Sequence, residues 1–441
     1  MKYKVRGVDL RTGFVTVIVR LLLFSLPLLS CATRSQPLST RAQVTPARGA
    51  YYTHHYPNLF ASLLRKSDAE VASKIEHAFA QLFYGNDEDE RIYYPVDPDM
   101  AYIKDVWHND VRTEGMSYGM MIAVQMDRKE EFDRLWRWAK RHMQHKAGPR
   151  QGYFAWHCRT DGAMLDSNAA PDGEEWFAMA LFFAAARWGN GVGICHYQAE
   201  AQAILDAMLS KADSSDRPEV VTNMFNRKRK QVVFVPAGHA DDFTDPSYHL
   251  PHFYELWGRW AERERRFWCE AADTSRVFWK RAAHPKTGLC PDFADFDGVP
   301  MEPPWGGGHK DFRYDAWRVG MNIGVDYVWF RRDEWAVVQA NRLLNFFASQ
   351  GVGTYGNLYT IDGKELSDEH SAGLVAMNAV AALAANIPVR KEFVQALWDL
   401  PVPRGRGRYY DGVLYMLALL QVSGNFKIYD LLPNTTECGA D

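Results

Sequence analysis

The chain has 441 residues and a formal net charge of −3, with 47% hydrophobic and 24% charged residues, a composition typical of a globular protein. This charge balance excludes the strongly basic surface that nucleic acids or anionic membranes select. Aromatic residues make up 14% of the chain, with 15 Trp, 21 Tyr and 24 Phe. Such side chains can stack on the C–H faces of sugars, although a large core uses the same residues.

The N-terminus has the pattern of an export signal. A basic region precedes an apolar stretch over residues 14–29, which is too short and too interrupted to span a membrane. Ser30 and Cys31 then match the bacterial lipobox, in which the cysteine becomes the lipidated first residue; an ordinary signal with a chance cysteine is the alternative. We predict a lipoprotein-type signal over residues 1–30, lipidation at Cys31, and export to the outer membrane or periplasm.

Residues 31–52, rich in Ser, Thr, Gln, Pro and Arg, predict a flexible tether before one folded domain over residues 53–441. Five cysteines follow Cys31, and their odd number, wide spacing and lack of a CxxC pair argue against a zinc site. We expect at most one or two disulfides, and the spacing does not indicate which cysteines pair. The cysteines are Cys158, Cys195, Cys269, Cys290 and Cys438.

Helical periodicity recurs along this domain in segments separated by Gly, Pro or Asp. Strand signals are few and short, such as residues 231–235. The periodicity predicts about twelve helices in six adjacent pairs, over residues 67–84, 114–126, 129–146, 172–188, 197–212, 246–262, 265–283, 314–331, 332–350, 369–386, 388–399 and 409–421.

Some of these segments are apolar nearly all round, as over residues 176–184 and 373–383. A helix of this kind must be covered on all sides, whereas residues 130–143 have the one apolar face of an outer helix. The alternation predicts an inner ring of helices inside an outer ring, which is an all-α (α/α)6 barrel. A helical solenoid is the alternative.

Polar and aromatic clusters open several predicted helices. The first has Thr113 as N-cap and Glu114 in the first turn, followed by glycines that weaken a helix and so indicate close approach of another backbone or a ligand. The second has Asp172 as the N-cap of the most apolar helix, and the third has Asp315 three residues before Arg318. Plain helix-start chemistry is the alternative for the first two, and a surface ion pair for the third.

Other motifs in the chain do not have the context that their chemistry needs. Residues 115–119 match the G-x-S-x-G nucleophile elbow, but the segment before them is polar and aromatic instead of a buried strand. Residues 295–298 are a fragment of a calcium loop, and no P-loop or dinucleotide fingerprint occurs. We predict no metal and no cofactor. One further acidic and imidazole cluster lacks metal-ligand spacing: Asp241, Asp242, His239, His249 and His252.

What remains is a set of carboxylates at helix starts, interleaved with aromatic residues. Cleavage of a glycosidic bond needs two carboxyl groups, one protonated so that it can donate to the leaving oxygen and one ionised so that it can activate water. The residues alone therefore favour a glycoside hydrolase as one hypothesis among several.

These motifs strongly resemble glycoside hydrolase family 8. The segment Thr-Glu-Gly-Met-Ser-Tyr-Gly-Met over residues 113–120 resembles the family's signature around its catalytic acid, and the resemblance extends from about residue 55 to 430. It implies an (α/α)6 barrel and hydrolysis with inversion. It also implies that Glu114 is the general acid, Asp315 the general base, and Asp172 the carboxylate that holds the distorted sugar.

The resemblance implies substrate contacts as well. Trp156 corresponds to an aromatic sugar platform, Tyr248 and Arg318 to residues that place the water and the base, and Tyr314 to a substrate contact beside the base.

Within the family, residues 171–175, 313–318 and 321–323 are most similar to the reducing-end xylose-releasing exo-oligoxylanases. In those enzymes a loop closes the cleft and a histidine contacts the reducing sugar, and His370 falls on that position. The family's loop carries Pro after this histidine, whereas Ser371 follows here, a departure that bears on the exo mode.

We therefore expect a monomeric enzyme that acts on xylo-oligosaccharides, without a nucleic-acid partner. Three alternatives stay open. The chain could be an endo-acting member of the same family on xylan, glucan, cellulose or chitosan. It could be a non-catalytic glycan-binding lipoprotein, or an (α/α) lyase or unsaturated glucuronyl hydrolase that acts on acidic sugars.

Overall fold

The computed structural model describes residues 48–238, 240–431 and 438. The predicted export signal, Cys31 and most of the tether lie outside these residues, as does His239. Across the described ranges, no helix combines the length and apolar character needed to cross a membrane. Ordered structure begins before residue 53, because Ala50–Thr53 forms a short helix and the ring of Tyr51 lies 5.5 Å from that of Phe330.

Helices dominate the fold. A π-helical turn over Ala139–Met143 extends the fifth helix, and 3-10 turns occur at Gly193–Cys195 and Gly405–Arg408. The α-helices of the described ranges are α1 (Ala50–Thr53), α2 (Leu59–Leu64), α3 (Asp68–Tyr84), α4 (Thr113–Gln125), α5 (Lys129–Trp138), α6 (Pro171–Trp188), α7 (Tyr197–Met208), α8 (Pro251–Trp260), α9 (Arg265–Ala282), α10 (Trp317–Trp329), α11 (Trp335–Gln350), α12 (Ala372–Ala381), α13 (Arg390–Asp399) and α14 (Tyr410–Val422).

Six of them, α4, α6, α8, α10, α12 and α14, form a closed inner ring. Contacts join α4 to α6, α8 to α10, α10 to α12, and α12 to α14, and α14 packs against α4. The remaining junction, between α6 and α8, is made by the rings of Trp176 and Phe253, whose centroids are 5.0 Å apart. These helices are covered on every side, as their apolar composition requires; every residue of α8 is buried.

The outer ring consists of α3, α5, α7, α9, α11 and α13. Each packs against an inner helix, and α11 and α13 each contact two of them. In α5, for example, Phe132, Leu135 and Trp136 are buried while Glu130 and Arg134 form an ion pair on the surface. The two rings together are the (α/α)6 barrel that the sequence predicts. The contact between α14 and α4 closes the ring and excludes the solenoid.

Short antiparallel ribbons fill the connections between helices. They pair β1 with β2, β3 with β4 and β4 with β5, β6 with β7, β8 with β9, and β10 with β11. The strands are β1 (Tyr93–Val96), β2 (Met100–Ile103), β3 (Asp110–Arg112), β4 (His157–Arg159), β5 (Met164–Asp166), β6 (Phe225–Asn226), β7 (Gln231–Val232), β8 (Phe243–Thr244), β9 (Ala294–Asp295), β10 (Leu358–Tyr359) and β11 (Glu365–Ser367).

Several predicted helices begin too early. The helices α8, α10 and α12 start at Pro251, Trp317 and Ala372, which is three to five residues later than periodicity predicts. The segments before α8 and α10 contain Tyr248 and Tyr314 and form turns, whereas Glu369 and His370 before α12 are exposed and lie in an irregular segment. Periodicity alone does not separate a buried turn from a buried helical turn.

The predicted caps of α4 and α6 are wrong. The N-cap positions belong to Arg112 and Ala170, and neither side chain caps its helix. Thr113 is instead the first helical residue of α4, and Asp172 follows Pro171 inside the first turn of α6. Proline suits the first helical position because its φ is already helical and because an N–H group at that position would have no partner within the helix.

Within the part of the chain that the structure describes, one disulfide is present. Cys269 in α9 pairs with Cys438 near the C-terminus, with their Cα atoms 5.6 Å apart. Cys158 and Cys290 are free and buried, and Cys195 is free and half-buried. This one bridge lies within the number that the sequence allows, but its pairing spans 169 residues and depends on the tertiary fold.

The close approach of α4 and α6 predicts the effect of a substitution at Gly173. A Cβ atom there would lie 2.4 Å from the Cβ of Thr113, which is sterically impossible without movement. Gly173→Ala should therefore destabilise the protein by about 1–3 kcal/mol, although alanine ordinarily stabilises a helix. Urea unfolding measures the change. Gly353→Ala is the control, since its Cβ would meet nothing within 4 Å; equal stability of the two variants would contradict the packing.

Candidate active site

Three carboxylates converge on one guanidinium at the mouth of the inner ring. Arg318, in the first turn of α10, is 2% exposed. Its Nη1 donates to Glu114 Oε2 and to Asp172 Oδ2, each at 3.0 Å, and its Nη2 donates to Asp315 Oδ1 at 2.7 Å. The structure thus brings the three predicted acidic residues together around the predicted arginine.

Helix starts position these side chains. Glu114 and Asp172 each occupy the second position of an inner helix, α4 and α6, and Asp315 lies two residues before α10. The first turns of α4 and α6 can meet because Gly173 packs directly on Thr113. The close approach that the glycines of α4 indicate is also present, since Gly115 packs on the ring of Tyr409.

Glu114 is held in a mostly buried position, with its side chain 17% exposed. Tyr409 donates a hydrogen bond from its hydroxyl to Oε1 at 3.0 Å. Burial raises the pKa of Glu114 to about 7; Arg318 opposes this shift, whereas the negative charge of Asp172 adds to it. A carboxyl group of this kind carries its proton near neutral pH, which is the property of a general acid.

Asp172 is more deeply buried, with 7% of its side chain exposed. Its Oδ1 accepts a hydrogen bond from the backbone N–H of Gly173 at 2.9 Å. Burial raises its pKa to about 6, and Arg318 and this N–H act against the shift. Asp315 is the most accessible of the three, with 31% of its side chain exposed.

The sequence analysis did not single out Asp292, which bonds the backbone of Asp315, or its partner His309. The carboxylate of Asp292 accepts hydrogen bonds from the backbone N–H groups of Asp315 and Ala316 at 3.1 and 3.3 Å, and its other oxygen bonds to His309. Burial raises the pKa of Asp292 to about 6. Its neighbours in the sequence form no motif, so only the tertiary contact reveals it. Asp245 is also buried nearby, and burial raises its pKa well above the usual range.

Aromatic residues surround the carboxylates. The backbone carbonyl of Trp156 accepts a hydrogen bond from the N–H of Thr113 at 3.0 Å, which joins Trp156 to the helix start that carries Glu114. The Tyr248 ring lies 5.8 Å from the guanidinium carbon of Arg318. Tyr314, directly before Asp315, is 48% exposed.

His370 lies just before α12. It is exposed, and its Nδ1 forms a hydrogen bond with the backbone carbonyl of Tyr355 at 2.8 Å. The adjacent Ser371 Oγ accepts a hydrogen bond from Asn357 Nδ2 at 2.6 Å, and the carbonyl of Asn357 accepts one from Trp317 Nε1. The loop with His370 is thus tied to the start of α10, one residue before Arg318.

The nucleophile-elbow match has a structural role. A short strand, β3, does precede it, contrary to expectation, but Ser117 lies within α4 and is fully buried. Its hydroxyl donates to the backbone carbonyl of Glu114 at 3.0 Å. This serine supports the helix turn that bears the acid.

Two histidines of the acidic and imidazole cluster, His249 and His252, have different packing partners. His249 bonds through its two ring nitrogens to the hydroxyls of Thr244 and Ser275, and His252 packs against the ring of Trp329. A different trio lies close enough to share an ion within the described residues: Asp105, His108 and Asp110. Its two carboxylates already bind the guanidinium of Arg112, at 3.0 and 3.1 Å.

The fold and this site define a glycoside hydrolase. Glycoside hydrolysis needs one carboxyl group that retains its proton at the working pH and a second that faces the cleft from another side. Carboxyl groups from the start of α4 and from the turn before α10, those of Glu114 and Asp315, meet around Arg318, and the ring of Tyr248 lies beside its guanidinium.

The chain belongs to glycosyl hydrolases family 8, whose model matches residues 102–424. It is 46% identical over 385 residues to a reducing-end xylose-releasing exo-oligoxylanase of Paenibacillus barcinonensis, covering 87% of this chain and 99% of the relative. It is 44% identical to a protein of the same description from Halalkalibacterium halodurans, covering 86% and 96%. The crystal structure of a GH8 xylanase catalytic mutant from Teredinibacter turnerae in complex with xylohexaose is 47% identical, covers 86% of this chain and all of that one, and has a TM-score of 0.83.

The raised pKa of Glu114 predicts the pH at which activity falls on the alkaline side of the pH profile. A general acid works only while protonated, so kcat/KM should fall as pH rises through about 7, the pKa to which burial raises Glu114. An initial-rate pH profile measures this limb. Glu114→Gln should remove the limb together with most of the activity. A wild-type limb near the ordinary glutamate value of 4.5 would contradict the assignment.

Proposed function

We propose that this protein is an inverting, reducing-end xylose-releasing exo-oligoxylanase that acts on xylo-oligosaccharides. The observation that carries the chemistry is the convergence of Glu114, Asp172 and Asp315 on Arg318. The substrate is supported by two relatives of that description, at 46% and 44% identity over nearly their whole lengths.

In the proposed reaction, Glu114 protonates the glycosidic oxygen while Asp315 takes a proton from a water on the opposite face of the sugar. Inversion requires room for this water, with about 6.5–9.5 Å between the two carboxyl groups. The greater exposure of Asp315 suits a group that must reach water from the cleft. Arg318 orients both side chains and limits the repulsion among the three acids.

Asp172 and the aromatic residues bind the sugar in this proposal. Asp172 hydrogen-bonds the distorted ring between the acid and the base, and Tyr248 helps Arg318 to place the water. Trp156 stacks on a neighbouring xylose. Its ring is well supported for that role, because His157 stacks on it at 4.6 Å and the guanidinium of Arg112 lies 5.8 Å away.

The exo mode depends on the loop with His370. In the proposal, this loop ends the cleft and the imidazole contacts the reducing-end xylose. Ser371 replaces the proline of related loops, yet its bond to Asn357 ties the loop to the helix that carries Arg318. A hydrogen bond thereby supplies rigidity that proline would supply through its ring.

An endo-acting xylanase of the same family is the second candidate. The observation that favours it is the 47% identity to the Teredinibacter turnerae xylanase, whose structure contains xylohexaose. The two modes differ in whether the reducing end of the substrate is recognised.

Xylotriose and its reduced alditol distinguish the two modes. An enzyme that recognises the reducing end should convert xylotriose to xylose and xylobiose and should cleave xylotriitol at least about 100-fold more slowly, because the open alditol offers no ring to the closing loop. Chromatography of the products over time measures both rates. Comparable cleavage of the two compounds, or mixed products from xylohexaose at early times, would favour the endo mode.

We propose further that the chain is an exported lipoprotein, acylated at Cys31, and that its enzymatic domain is a monomer. Support comes from the sequence of residues 1–31, in which a basic region and an apolar stretch end in Ser-Cys. Sedimentation of the purified domain tests the oligomeric state.

Metabolic labelling with an alkyne fatty acid in a Gram-negative host tests the anchor. The wild-type chain should be labelled and partition with membranes, whereas Cys31→Ser should be unlabelled. Cys195→Ser is the control, because this free, half-buried cysteine belongs to the folded domain and its loss should leave labelling unchanged. An unlabelled wild-type protein would contradict the proposal.

A further inference from the structure

The backbone that carries Asp315 is held by a side chain from another part of the chain. The first N–H groups of α10, those of Trp317 and Arg318, donate to the backbone carbonyls of Tyr314 and Asp315. The two N–H groups just before the helix are bonded by Asp292, 23 residues upstream of Asp315: its Oδ1 accepts from the N–H of Asp315 at 3.1 Å and from that of Ala316 at 3.3 Å.

The carboxylate of Asp315 does not cap α10. A capping aspartate accepts from the N–H groups two or three residues ahead, and here those of Trp317 and Arg318 already donate to backbone carbonyls. The Asp315 side chain reaches the guanidinium of Arg318 at 2.7 Å, while Asp292 holds the backbone from which it projects. It remains 31% exposed, compared with 17% for Glu114 and 7% for Asp172.

Asp292 is itself fixed from the opposite side. Its Oδ2 forms a hydrogen bond of 2.6 Å with Nδ1 of His309, whose ring stacks on Phe293 at 4.2 Å with only 4° between the ring planes. Its backbone N–H donates to the carbonyl of Asp311 at 2.9 Å. The side chain and the backbone of Asp292 are therefore both restrained, so its carboxylate can hold the backbone of Asp315 in one position.

The same contacts exclude a direct role for Asp292 in proton transfer to the sugar. Asp292 is 3% exposed. Its Oδ1 already accepts from two backbone N–H groups, and its Oδ2 is bonded to His309. Neither oxygen is free to meet a substrate in the cleft.

We propose that Asp292 is a positioning residue for the catalytic base, with His309 as its support. By holding the two N–H groups before α10, Asp292 keeps the Asp315 carboxylate directed at the water site beside Arg318. The inference rests on the proposed role of Asp315 as the base.

The test compares variants at Asp292 by steady-state kinetics on xylotriose. Asp292→Ala removes the acceptor, so kcat should fall about 10- to 100-fold with KM within about threefold of wild type, since a small displacement of a catalytic group has an effect of this size. Asp292→Asn keeps an acceptor oxygen of the same shape and should recover kcat to within about fivefold of wild type. A residue needed only for folding would not produce this recovery in kcat at constant KM.

Asp295→Ala is the matched control. Its carboxylate also accepts two backbone N–H bonds, from Asp297 at 2.9 Å and Val299 at 2.8 Å, but in a turn away from the base. This variant should retain kcat within about twofold.

Two results would overturn the inference: Asp292→Ala with the kcat of the Asp295 control, or Asp292→Asn as slow as Asp292→Ala. Asp315→Asn in parallel separates this failure from failure of the proposed function. It should lose about two to four orders of magnitude in kcat while staying folded. Near-wild-type turnover of Asp315→Asn would mean that another residue is the base and would remove the premise as well.

Discussion

The site depends on one buried cation, Arg318. A charge taken out of water is costly unless oppositely charged groups compensate it, and three carboxylates do so here. Three ionised acids around one arginine would, however, leave an excess of negative charge in a buried place. Protonation of Glu114 relieves that excess, and burial raises its pKa to about 7. The arginine therefore assembles the acids, while burial and their mutual repulsion keep the proton on one of them.

The inner ring determines where these charges can meet. Glu114 and Asp172 lie in the first turns of α4 and α6, where the helix dipole favours a negative charge and so opposes a raised pKa. Burial has the larger effect on both groups. Gly173 sets the spacing of the two turns, because any larger residue would overlap Thr113. The packing of the barrel thus controls the protonation of its active site.

Asp315 is held differently from Glu114 and Asp172. Asp315 precedes its helix, its backbone is held by Asp292, and the loop around His370 is tied to Trp317 through Asn357. These segments are the ones that helical periodicity assigned to helices. Their backbones are not helical: residues 314–316 form a turn, and residues 369–371 form an irregular segment in which Glu369 and His370 are exposed. At the site, the local sequence pattern therefore predicts a helix where the tertiary structure has none.

The twelve helices of the two rings could be predicted from the sequence, because helices that are apolar all round require an outer layer, whereas α1 and α2 were not predicted. The candidate acids and the family could be predicted as well, since the motif around Glu114 is local. Tertiary contacts were needed to establish which groups these acids contact, the caps of α4 and α6, and the pairing of Cys269 with Cys438. They also revealed Asp292, which acts across 23 residues without a motif. The physical reason is that burial and hydrogen bonding between distant segments depend on how the rings close, and periodicity carries no information on that.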